Sequence, residues 1–210
     1  MLQSINNRSS FTKAIHDNID AICLVLAVVL LYPLATNYFL VFHSSVEIFS
    51  MVIAAGIFII ARNTKDYQDN DFFILIGVGY LFIGIIDGLH TLGYEGMGVF
   101  QMQGHNLANQ LWIAARYLQA ITLLISPFFL NRKGNLPKIF ISYFIITGLL
   151  ISSIFFWEVF PTCYVEGQGL TPFKVASEYI ISLILVIALH LLYTKRSFFQ
   201  IRIFYLILAS

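Results

Sequence analysis

The chain has 210 residues, 59% of them apolar and only 11% charged, against roughly 45–50% and about 25% in ordinary soluble domains. No soluble fold of this size hides that much apolar surface. With 12 Lys+Arg against 11 Asp+Glu the formal net charge is +1, which leaves no electrostatic footprint for nucleic acid. The apolar runs are about 20 residues long and do not alternate like ten-residue strands, so the composition predicts an all-α, polytopic transmembrane bundle. Cys23 and Cys163 lie far apart and argue against a disulfide framework.

Polar residues 1–20, with Arg8 and Lys13, precede the first apolar run. That run is too long for a signal-peptide core and reads as a retained anchor. In chain order the spans are predicted at about 20–41, with Pro33 and Asn37 as interruptions, then 43–62, 71–92, 107–130, 138–160 and 173–193. A seventh run, 198–210, is too short at about 1.5 Å per residue to cross a ~30 Å core. The expectation is therefore a membrane domain over 1–210 whose last span is incomplete. Basic residues fall in alternate loops: Arg62 and Lys65, then Arg132, Lys133 and Lys138, then Lys195, Arg196 and Arg202. The loops 93–106 and 161–172 carry no Lys or Arg. The positive-inside rule then predicts a cell-membrane protein with a cytoplasmic N-terminus and those two loops outside.

Ionisable groups inside spans are costly and mark functional positions by default. They are Glu47, Asp87, His90, Arg116 and Glu178, with His43 at the start of the second span. Counted from the basic end of each helix, Glu47 and Arg116 lie 15 residues in, and Asp87 and Glu178 lie 16. At about 1.5 Å per residue all four sit roughly 23 Å up, at one level. His43 and Glu47 are spaced i,i+4, and Asp87 and His90 i,i+3, so each pair shares a helix face. If the two faces meet, two imidazoles stand beside two carboxylates. That donor set suits a divalent transition metal, Zn, Cu or Fe, with haem as the alternative cofactor. His105, in the loop before the fourth span, is a further candidate ligand. A small anionic or polar ligand held by Arg116, with Tyr94, Trp112 and Glu178 around it, is the competing use of the same region.

Simpler accounts exist for each residue. Ser44-x-x-Glu47 fits a capping box, which would satisfy Glu47 locally. Asp87 can pair with Arg116 as a buried structural ion pair, His105 can be solvated, and Glu158 and Glu178 can pair with Lys174. The aromatic residues around 94–117 and 157–164 also suit an interfacial belt. A proton- or ion-coupled transporter using the same carboxylates is the alternative function, but no carboxylate continues into the basic half of any span. No H-E-x-x-H occurs, which disfavours an intramembrane metalloprotease. No lysine lies mid-span to hold retinal.

Three stretches carry a family resemblance: His43-Ser-Ser-Val-Glu47, Asp87-Gly-Leu-His90-Thr-Leu-Gly-Tyr94-Glu-Gly-Met97, and Asn106-Leu-Ala-Asn-Gln110-Leu-Trp112-Ile-Ala-Ala-Arg116-Tyr117. The chain resembles the third membrane-associated sensor (MASE) family, a multi-span sensory module found N-terminal to histidine kinase, diguanylate cyclase and related output domains. The resemblance implies a non-catalytic input domain in a signal-transduction protein, with a cytoplasmic output domain beyond the last span. An N-terminus inside then requires an eighth span. The expected partners are the lipid bilayer, the covalently attached output domain and a second copy of the chain, with no nucleic acid.

Overall fold

The computed structural model describes residues 18–100, 104–132 and 135–199, with the side chains of Asp20 and Ile22 left aside. Arg8, Lys13, Lys133, Arg202 and all but the start of the run 198–210 lie outside the described residues. Six α-helices are described: α1 (Ile19–Asn37), α2 (Phe39–Thr64), α3 (Phe72–Leu92), α4 (Gly104–Ile125), α5 (Leu136–Phe155) and α6 (Pro172–Thr194). Five of them, α2 to α6, are long and apolar enough to cross a membrane, while Cys23–Asn37 within α1 forms a shorter apolar helix. The chain divides into two compact units, Met1–Val46 and Glu47–Ser210, the boundary falling inside α2.

In the first unit the helix break falls earlier than its hydropathy suggests. Pro33 lies inside α1, and the Asn37 side-chain amide donates to the Pro33 carbonyl at 3.0 Å. α1 stops there, and Tyr38 (φ −137°, ψ 56°) separates it from α2. The predicted break near residue 42 is thus corrected to residue 38. A consequence is that Ser44 does not cap a helix. Its hydroxyl donates back to the Leu40 carbonyl at 2.8 Å inside α2, so the capping box does not form. His43 lies within the helix, its ring stacked on Phe39 at 5.8 Å.

In the second unit the core is formed chiefly by α3 and α4, packed through Leu75, Val78, Phe82, Leu111, Ala115 and Leu118. Pro127 lies in a short 3-10 turn, Ser126–Phe129, which ends the fourth span. Asn135 caps α5 by accepting from the Lys138 amide. α5 ends at Phe155 and does not reach residue 160, because the amides of Trp157 and Phe160 fold back onto the Ser152 and Ser153 carbonyls. Glu158 takes φ 50° in that turn, a value no helix accommodates. The predicted loop after it contains a small antiparallel hairpin, β1 (Tyr164–Val165) with β2 (Gly169–Leu170).

Candidate functional site

The α2–α3 contact of the second unit is a seam of small residues. A Cβ added at Gly77 would lie 2.5 Å from the Ala61 Cβ, and one at Gly84 would lie 3.3 Å from the Ala54 Cβ. One at Gly88 would meet the Met51 sulfur at 3.1 Å. Missing side chains let two helix backbones approach closely. Each step forward along α3 is a step back along α2, so the pairing is antiparallel. The next step beyond Gly88 and Met51 brings His90 opposite Glu47, and these two offer ligand atoms within 4.8 Å of one another.

α4 closes the site from the other side. His90 is buried, and its Nδ1 lies 2.8 Å from the Ala108 carbonyl oxygen. A carbonyl only accepts, so Nδ1 carries the proton; in the neutral ring Nε2 is then the lone-pair nitrogen. Asp87, also buried, receives Arg116 Nη2 on both oxygens, at 2.5 and 2.6 Å. Arg116 Nη1 donates to Gln119 Oε1 at 2.5 Å, and Gln119 donates in turn to the Tyr80 hydroxyl at 3.4 Å. The Arg116 Nε is buried with no hydrogen-bond partner among the described residues.

The predicted donors therefore separate into groups. Glu47 and His90 come together as expected. Asp87 is engaged on both oxygens by Arg116 and stands in an ion pair with it. Arg116 in turn serves as the counter-charge of Asp87. His105 does not join Glu47 and His90: it pairs with the Glu95 carboxylate, and its ring meets Tyr164 edge-on at 4.9 Å. Trp112 and Glu178 are taken up by Lys174, whose amine lies 3.9 Å from the Trp112 ring centre and donates to Glu178 Oε1 at 2.5 Å. Lys174 is only 5% exposed, so this pairing keeps an amine from being buried alone. Tyr94 is half-buried just after α3, its amide bonded to the Thr91 carbonyl.

Several residues with structural roles escaped sequence reasoning. Asn106 Oδ1 accepts from the amides of Cys163 and Tyr164, at 2.8 and 3.0 Å. Gln110 Nε2 donates to the Phe160 and Pro161 carbonyls, at 3.0 and 3.1 Å. Together they tie the hairpin loop to α4. Their i,i+4 spacing beside His105 was a visible signal, read only as part of the family motif. Cys163 lies beneath that loop, and burial pushes its thiol up to about 11 against the opposing pull of the Lys174 ammonium.

A family model described as a membrane-associated sensor domain, MASE3, matches residues 34–210. No curated protein and no solved structure matches the chain.

Proposed function

The chain belongs to the MASE3 family of membrane-associated sensor domains, and from that premise we propose that it is the input domain of a histidine kinase or diguanylate cyclase, responding to a divalent transition metal. It is a multi-pass membrane domain with no catalytic role of its own. In this reading the N-terminus is cytoplasmic, the metal site opens toward the exterior, and the signalling form is a homodimer.

One observation carries the metal reading: the hydrogen bond from His90 Nδ1 to the Ala108 carbonyl. Metal-ligating histidines characteristically donate their other ring nitrogen to a carbonyl or carboxylate, which fixes the tautomer and raises the basicity of the ligating nitrogen. That bond occupies Nδ1 and so assigns ligation to Nε2 in this reading; a His90 ring nitrogen lies within 4.8 Å of a Glu47 ligand atom. An imidazole and a carboxylate are donors that suit Zn, Cu or Fe, and a catalysis-free sensor site of this kind leaves further coordination positions for water. Asp87, held by Arg116, supplies no ligand in this set.

Binding there ties α2 to α3 and, through Ala108, to α4. A ligand shifts a conformational equilibrium only by its differential affinity for the two states. The state favoured by metal is the one with the α2–α3 seam closed, because only that state assembles the donors. The test is elemental analysis and metal titration of the protein purified into lipid nanodiscs, with an absorption spectrum to distinguish haem. We expect about one metal per chain, and a loss of at least about tenfold in affinity for His90→Ala and for Glu47→Gln. Affinity should also fall as pH drops, since protons compete with the metal for its ligands. Unchanged metal content in both variants would remove the metal from the proposal. A haem Soret band in the wild type that is lost in His90→Ala would replace the ion with the porphyrin.

A further inference from the structure

The end of the second unit that carries the basic linkers has its own chemistry, separate from the Glu47–His90 site. α5 begins there, with Pro137 in its first turn. A groove opens on each flank of that start. The groove between α4 and α5 has a volume of about 290 Å³, with walls that include Ile121, Ile125, Phe129, Ile139 and Ile146, and with Lys138 at its mouth. From Lys138 to Ile146 the helix rises eight residues, about 12 Å, close to the ~15 Å depth of one leaflet's hydrocarbon. The groove between α2 and α5 has a volume of about 310 Å³, is walled by Phe58, Leu136, Pro137, Phe140 and Ile141, and has Arg62 at its mouth.

Lys138 and Arg62 are both exposed. Neither forms an ion pair with a carboxylate among the described residues. Each groove therefore presents an unneutralised cation at the polar rim and hydrocarbon walls running inward from it. The complement is a molecule with a phosphate anion at one end and an acyl chain at the other. A zwitterionic headgroup brings its own cation to the rim and gains less.

We propose that the two grooves flanking α5 are seats for an anionic phospholipid, its phosphate on Lys138 or Arg62 and its acyl chain along the apolar wall. Basic pockets between transmembrane helices are a recurrent setting for such headgroups. The occupant holds the start of α5 against α4 on one side and α2 on the other. The packing of the basic end then depends on the lipid composition of the membrane. This inference does not rest on metal binding and can fail or hold independently of it.

The test is native mass spectrometry of the full chain released from bilayers of equimolar phosphatidylglycerol and phosphatidylcholine. The wild type is expected to retain phosphatidylglycerol in preference to phosphatidylcholine. Lys138→Gln and Arg62→Gln are each expected to reduce that preference about fivefold at their own seat, the factor one basic residue contributes at a membrane surface. Lys138→Arg should restore it, and Ser142→Trp, which fills the α4–α5 groove, should remove the adduct without removing the charge. Equal retention of the two lipids, or charge variants that leave the ratio unchanged, overturns the proposal. Full displacement of the lipid by millimolar inorganic phosphate also overturns it, because the apolar wall would then contribute nothing.

Discussion

Asp87 is 4% exposed within an apolar helix, a place where an ionised carboxylate persists only if paired and hydrogen-bonded. Arg116 supplies the pairing, and Gln119 takes up a second edge of the guanidinium. Breaking such a pair from one side strands the other charge and costs about 3–5 kcal/mol. Asp87→Ala should therefore lower the thermal midpoint of the detergent-solubilised protein sharply. The double variant Asp87→Ala with Arg116→Met should recover part of the loss, since it removes the stranded charge as well; a double variant no better than the single would show that the pair is not the unit. Cys163 tests burial at the hairpin loop. Its thiol is raised to about 11, so the folded form holds its proton where an unfolded thiol near 8.5–9 has lost it. The contribution is fully present below about pH 8.5 and is lost as pH rises toward 11. With Cys23 replaced by Ser, maleimide at pH 8 should label Cys163 only after denaturation.

At the scale of elements, the α2–α3 seam sets the site. Gly77 is its tightest point, where a new methyl would stand 2.5 Å from the Ala61 Cβ. Overpacking of this kind costs about 1–3 kcal/mol. Gly77→Ala should lower the thermal midpoint, and adding Ala61→Gly should restore much of it by vacating the same space. Pushing the helices apart should also weaken the metal binding proposed for Glu47 and His90 without touching either residue. Much of this arrangement was legible in the sequence. Counting residues from the basic ends placed Glu47, Asp87 and Arg116 at one level, and antiparallel pairing of adjacent spans brought Glu47 to His90. The sequence did not show how the charges at that level divide. Asp87 lies one turn from His90 on its own helix and also faces Arg116 on the next, and only the packing of α3 on α4 selects Arg116. Hydropathy likewise runs unbroken through Tyr38, since a one-residue break changes backbone angles and not polarity. The hairpin was invisible for a similar reason. Its two-residue strands are too short for periodicity, and the amides entering the first strand, those of Cys163 and Tyr164, bond to Asn106, more than fifty residues earlier in the chain.

For the molecule as a whole, the second unit has two chemically distinct ends. Arg62, Lys65, Arg132, Lys138, Lys195 and Arg196 all stand at helix ends or linkers of one side, and there the Asp71 amide bonds the Arg132 carbonyl to join two of the linkers. The other end is held by side-chain amides, Asn106 and Gln110 gripping the hairpin loop, and the segments 93–106 and 161–172 contain no Lys or Arg. Basic short loops stay on the cytoplasmic side during insertion, so the proposed orientation, and with it the side from which the Glu47–His90 site is reached, follows from this asymmetry and is open to direct test. Two cysteines placed singly in the Cys23→Ser background decide it: Gln168→Cys in the hairpin turn and Asp69→Cys in the α2–α3 linker. A membrane-impermeant maleimide applied to intact cells should label position 168 and leave position 69 unmodified until the membrane is permeabilised. The buried Cys163 adds no background at neutral pH. Labelling of position 69 in intact cells, with 168 protected, would invert the bundle. It would turn the proposed metal site toward the cytoplasm and make any ion bound there an intracellular one.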